Sequence, residues 1–177
     1  MHTKTLATGF ILLSATLVYG VQSEWVKFTS PEGRFSVMLR HEPKFELITD
    51  PEDKEVANSR YTDIETGYGF ICEYFDVATT GTDLELFLDT TRDGIVKGAG
   101  ATMVGEKKIS LDGYPGRELE LTLKIPNGTE MSAQTRIYIV GKRLYSLSYI
   151  HAKDLDDTVN SENAAKFFSS FKPTKGN

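Results

Sequence analysis

Between Ser110 and His151 apolar and polar residues alternate almost without interruption, and the pattern breaks only at Tyr114-Pro115-Gly116, Pro126-Asn127-Gly128 and Val140-Gly141-Lys142. Alternation with period two is the mark of strands that bury one face. The breaks therefore predict turns between successive antiparallel strands. Tyr114-Pro115-Gly116 suits a type II turn, with Pro supplying the fixed φ and Gly the tolerant position.

Register follows from the side chains. A two-residue loop at Asn127-Gly128 would oppose Leu121 to Gln134 and Leu119 to Arg136. A three-residue loop with Gly128 as a bulge opposes Leu123 to Met131 and Leu121 to Ala133, and sets Lys124 against Glu130 and Glu118 against Arg136. A one-residue slip would turn every side chain to the other face, so the pattern selects the longer loop. A two-residue Gly141-Lys142 turn then opposes Ile139 to Leu144 and Ala133 to Ile150. On the other face it sets Tyr138 against Tyr145, Arg136 beside Leu147, Gln134 against Tyr149 and Ser132 against His151. That second face is neither uniformly apolar nor uniformly polar. It reads either as aromatics half-covered by a helix or loop, or as a surface for a ligand or partner.

Upstream, Trp25 to Phe28 is a short apolar start, and Phe35, Val37 and Leu39 share one face of a strand. Residues 41–54 hold two prolines and an acidic cluster and read as a loop with room for a brief strand. Residues 55–63 form a half-exposed strand. Residues 68–77 are apolar on both faces, which predicts a central strand covered on both sides. The period then changes. Leu84, Phe87, Leu88, Thr91 and Ile95 make a helical stripe, with Thr82 and Glu85 as a capping box and Gly98 and Gly100 as the stop. A closing helix follows, with Ser161 as its N-cap, Ala164, Phe167, Phe168 and Phe171 as its buried stripe, and Pro173 beyond its end.

Composition narrows the compartment and the partners. The 177 residues, 40% of them hydrophobic, suit one domain with one core. A net charge of -5 and a pI near 5.3 argue against nucleic acid, which needs a basic face. Lys4 is the only charge before Glu24, and Leu6 to Val18 is almost wholly apolar or small. That run falls short of the ~20 residues a spanning helix needs. Residues 1–20 therefore read as a signal peptide, cleaved after Gly20 or Ser23, ahead of a single domain at 24–177, with an uncleaved N-terminal anchor as the other reading. No cysteine stands near either bond, so no lipid anchor is expected. The expected place is periplasmic or extracellular, with no membrane span after cleavage.

Chemistry is sparse. Cys72, the only cysteine, lies in the apolar run Tyr68 to Val77 and reads as a buried hydrophobe. No G-x-S-x-G, H-E-x-x-H, P-loop or dinucleotide fingerprint occurs. Asp50-Pro51-Glu52-Asp53 and Asp154-Leu155-Asp156-Asp157 are acidic, but neither has the ladder of a calcium loop, so no metal or cofactor is expected. His41 and His151 are the histidines beyond the signal segment, and His151 is the only plausible base.

Trp25 to Val37 (WVKFTSPEGRFSV), the runs LDGYPGRE and RIYIVGKRLYSL, and the close AAKFFSSF together resemble exported bacterial proteins of the PsbP/Mog-like α/β/α sandwich group. The resemblance covers about half of the expected mature chain and rests on structural motifs. It implies an α+β fold, a single antiparallel sheet flanked by helices, and mostly non-enzymatic accessory roles. The photosystem branch of the group is associated with metal sites, but no ligand motif of that kind can be matched here residue by residue. Two functions stay open. One is an exported, non-enzymatic accessory or interaction module of the cell envelope, meeting an envelope protein or complex through Arg136, Tyr138, Tyr145, Tyr149 and His151. The other is a small-ligand binder or hydrolase with a pocket at that same Tyr-rich face.

Overall fold

A computed structural model of the chain describes residues 24–49, 56–77 and 83–174. The expected signal peptide with both cleavage bonds, the Asp50 to Asp53 cluster and Thr82 lie outside the described residues. Twelve elements follow in order: β1 (Val26–Ser30), β2 (Phe35–Leu39), β3 (Lys44–Thr49), β4 (Val56–Glu65), β5 (Tyr68–Asp76), α1 (Leu84–Gly98), β6 (Thr102–Leu111), β7 (Tyr114–Lys124), β8 (Glu130–Val140), β9 (Arg143–Ala152), α2 (Asp157–Ser170) and β10 (Lys172–Pro173).

The expected single sheet is two. Seven antiparallel strands in the order β3-β4-β5-β9-β8-β7-β6 form the central layer, and β1-β2-β10 form a separate small sheet. The small sheet lies on the central one instead of extending it. Phe35, Val37 and Leu39 are all buried, and they pack on the central sheet face to face beside α2. Main-chain pairing of β2 is met by β1 on one side and by the two residues of β10 on the other. On the far side of the central sheet, α1 sets Leu88 among Ile137, Ile139 and Leu144. The molecule is thus layered: small sheet with α2, central sheet, α1.

Both long-hairpin registers hold. Leu123 pairs with Met131, Glu118 with Arg136, Ile139 with Leu144, and Tyr138 with Tyr145. Gly128 has a φ of +85°, and its N–H donates to the Ile125 carbonyl, closing the three-residue loop with a bulge. The first predicted turn moves, however. Tyr114 and Pro115 belong to β7, and the reversal falls at Asp112-Gly113, where φ is +51° and +87°. Two successive positive φ values make a type I′ turn, whose twist suits a two-residue hairpin. Gly116 serves a different end: a Cβ there would collide with the Ile137 carbonyl of β8.

Three further expectations are corrected. The region read mainly as a loop contains the six-residue strand β3, which alternates only at an exposed edge and so lacks a strong pattern. The helix caps are aspartates. Asp83 accepts from the Glu85 and Leu86 amides, and Asp156 accepts from the Thr158 and Val159 amides, so α2 begins about one turn before Ser161. A carboxylate at the N-cap satisfies orphan N–H groups and meets the positive end of the helix dipole. The central position of β5 and the stripes of both helices are as expected: Phe70, Cys72, Leu88, Phe167, Phe168 and Phe171 are all buried.

Candidate functional site

The register puts the expected face together and the layers then cover it. Tyr138, Tyr145 and Tyr149 lie on one side of β8 and β9, and Tyr149 is only 1% exposed. Phe35 of β2 meets the Tyr145 ring edge-on at 6.0 Å, Phe171 stacks on Tyr138, and Phe70 stacks on Tyr149 at 5.3 Å. The tyrosines are core, which corrects the expectation that they face a partner. Hydroxyl bonds explain why Tyr145 and Tyr149 are not phenylalanines. Tyr145 donates to the Gly33 carbonyl at 2.8 Å. Tyr149 donates to Asn160 Oδ1 at 3.0 Å and accepts from Asn163 Nδ2 at 3.3 Å. The phenols of Tyr145 and Tyr149 thereby join the central sheet to the layer above it. Burial raises the ionisation of all three above the ordinary phenol value.

Arg136 and His151 stay accessible and stand apart, Arg136 opposite Leu147 and His151 opposite Ser132. The Arg136 guanidinium lies 4.5 Å above the Phe168 ring, and its Nε donates to Glu118. Glu118 is buried, and Lys107 Nζ lies 2.6 Å from its other oxygen. Arg136, Gln134 and Phe168 line a groove of about 450 Å³ beside α2. His151 stacks on Tyr149 with centroids 5.5 Å apart, and its Nδ1 donates to the Ala152 carbonyl. No carboxylate or hydroxyl among the described residues orients it as a catalytic base would need.

A grouping of ligand-type atoms that sequence reading missed is His41, Asp63 and Glu65. The connection from β2 to β3 brings them together across more than twenty residues, which no local spacing reveals. His41 Nδ1 lies 3.2 Å from Asp63 Oδ1 and 2.9 Å from Glu65 Oε1. Asp63 is nearly buried, and its Oδ2 accepts from the Arg40 and His41 amides at 2.7 and 3.0 Å. The imidazole and two main-chain amides already answer this carboxylate, so the trio pins the β2–β3 connection to β4. Cys72 offers no nucleophile. Burial drives its thiol far above the ordinary value, and Glu73 and Asp63 add to the shift.

Apolar surface instead gathers where the edges of the two sheets meet. Phe28 of β1 and Phe45 of β3 both pack on the Tyr61 ring, with centroids 4.9 and 5.0 Å away. Phe45 is 50% exposed. Val26 and Leu47, each two residues further along the same face of its strand, are similarly open. Among the described residues both β1 and β3 are edge strands, so main-chain groups with no strand partner there run beside this apolar strip.

No protein-family model and no curated protein matches the chain. Solved structures do. The solution structure of cyanobacterial PsbP (CyanoP) from Synechocystis sp. PCC 6803 superposes with a TM-score of 0.59 at 15% identity, covering 91% of this chain and 98% of that one. LpqN of Mycobacterium tuberculosis, described as involved in cell envelope biogenesis, gives a TM-score of 0.50 at 14% identity over 75% of this chain and 84% of its own. The Ran-binding protein Mog1p of Saccharomyces cerevisiae gives 0.50 at 8% identity over 86% and 97%. The chain therefore has the PsbP/Mog-like fold. No described helix is long and apolar enough to cross a membrane.

Proposed function

We propose that the protein is an exported, non-enzymatic interaction module of the cell envelope, and that it meets its partner at the β1/β3 rim. The observation that carries this reading is the half-exposed pair Phe45 and Leu47 on an edge strand beside Phe28 and Val26. Open apolar side chains next to unpaired strand edges suit addition of an extended segment from another protein, with main-chain bonds for affinity and alternate side chains for selectivity. Structural neighbours that include an envelope protein and a Ran-binding protein support a binding role for such a scaffold. The apolar leader supports export.

The test compares wild type with the pair Phe45→Ser and Leu47→Ser as bait against the envelope fraction of the native host, with thermal midpoints measured alongside. Loss of one specific captured protein, with the midpoint within a few degrees of wild type, is the expected result. Equal capture by both baits would overturn the rim as the contact. Intact-mass analysis of protein from the same host should give a chain starting at Val21 or Glu24, and a product retaining Leu6 to Val18 would overturn signal cleavage.

A further inference from the structure

On the face opposite the tyrosines, α1 stands off the central sheet along one side. Between that side and strands β5, β9 and β8 lies a cleft of about 590 Å³, within the size range of small-molecule sites. Its floor is apolar, with Ile71, Phe75 and Ile150 of the sheet facing Phe87 and Ile95 of the helix. Gly94 is the informative residue on the helical wall. A glycine inside a helix costs about 1 kcal/mol relative to alanine. Neither a positive φ nor a close neighbour requires glycine here, since a Cβ added at Gly94 would meet nothing within 4 Å. What its missing side chain preserves is the opening of the cleft.

The polar groups are few and placed at defined points. At the β4 end, Arg60 Nε donates to Glu73 Oε1 at 2.6 Å, and Asn58 Nδ2 donates to the same oxygen at 2.9 Å. The pair is neutral as a unit, yet it presents the N–H donors of both Nη groups and a second carboxylate oxygen. On the floor, Thr135 and Ser148 share one hydrogen bond of 2.8 Å, so one of their two hydroxyl protons is left for another acceptor. A charged head group here would gain from one member of the ion pair what it lost to the other, and would still give up its hydration. An uncharged head that both donates and accepts has no such conflict.

We propose that the α1 cleft binds an amphiphile with one apolar chain and an uncharged, hydroxyl-bearing head. The chain lies on Ile71, Phe75 and Ile150 beneath Gly94, and the head exchanges hydrogen bonds with Asn58, Arg60 and Glu73. This site is separate from the β1/β3 rim, and its failure would leave the rim reading untouched.

The experiment titrates isotope-labelled protein with decanoyl monoglyceride, decanoate and decyltrimethylammonium, each kept below its micelle concentration. Saturable binding of the monoglyceride is expected, with amide shifts centred on Ile71, Gly94 and Ser148. The charged probes should bind about tenfold or more weakly, a difference of about 1.4 kcal/mol. Gly94→Leu fills the cleft and improves helix propensity, so it should keep or raise the thermal midpoint while weakening monoglyceride binding by about tenfold or more. If that variant does not fold, Thr90→Leu on the same wall takes its place. Unchanged affinity in the filled variant, shifts centred on α2 or the rim, or no saturable binding would overturn the site. Tighter binding of either charged probe would overturn the assignment of the head.

Discussion

The hydroxyl of Tyr145, on the fifth-to-ninth-strand seam of the central sheet, donates to the carbonyl of Gly33 in the turn between β1 and β2, 2.8 Å away. The neighbouring Arg143 reinforces the joint, since its Nη1 donates to the Glu32 carbonyl while its Nε and Nη2 hold Asp76. These two side chains clamp the small sheet onto the central one. Tyr145→Phe removes one buried hydrogen bond and leaves the Gly33 carbonyl to find another donor, so it should cost about 1–3 kcal/mol. Tyr145→Ala should cost about 3–5 kcal/mol, because the ring is core. Denaturant midpoints of the two variants check the order, and equal small losses would mean that the ring is not packed as described.

How much of this was legible in the sequence is clearest at Tyr138 and Tyr145 themselves. Their cross-strand pairing followed from alternation and the Gly141-Lys142 turn, because a register slip would have taken Ile139 from Leu144 and Ala133 from Ile150. What covers them did not follow. Phe35 and Phe171 arrive from strands and helix ends more than twenty residues distant in the chain, and the one-sided pattern of β2 is the same whether it joins the central sheet or packs on top of it. The polar tyrosine face that suggested a surface is an interior where hydroxyls bond across layers. Turn and cap errors have a smaller cause. Asp-Gly competed with Pro-Gly three residues on, and Asp83 with Thr82 next to it, and in each case both candidates have the right local chemistry.

Cys72 should be chemically silent until the protein opens. It is 1% exposed, on β5 in the core between the central sheet and the layer of the small sheet and α2, and burial holds it as the thiol. A disulfide-exchange reagent at neutral pH should react with it at the rate of unfolding in native buffer and at once in concentrated denaturant. Fast reaction in native buffer would place the side chain at the surface.

Acid should weaken the seam between α1 and β6–β7. Glu85 lies 2.7 Å from Lys108 Nζ and 2.7 Å from Arg117 Nη2, and these two partners hold its carboxyl at about 2, below the ordinary 4.5. Its folded value is lower than its unfolded one, so its contribution is complete above about pH 4.5 and is lost as pH falls towards about 2. Glu118 acts in the same direction. Burial alone would raise its value, but hydrogen bonds from Lys107, Gln134 and Arg136 outweigh burial and lower it. The thermal midpoint should therefore fall as pH drops from 5 to 2, and it should fall less steeply in Glu85→Gln at the same salt concentration. An identical slope in the variant would show that Glu85 contributes nothing to the acid limb.

The β7–β8 hairpin offers a separation of backbone strain from lost contacts. Gly128 has a φ of +85° and an added Cβ would meet nothing within 4 Å, so any cost of a side chain there is conformational and not steric crowding by the rest of the fold. Asn127 makes one exposed bond, accepting from the Thr129 amide at 3.0 Å. Gly128→Val forces a β-branched residue into the left-handed region and should cost about 1–2 kcal/mol. Asn127→Ala gives up a solvent-exposed bond that water replaces, and should cost less than about 1 kcal/mol. Urea midpoints of the two single variants, measured at matched slopes, decide the matter. Equal losses would mean that the bulge does not sit at Gly128, and that Leu123 and Met131 are held opposite each other by something other than the turn.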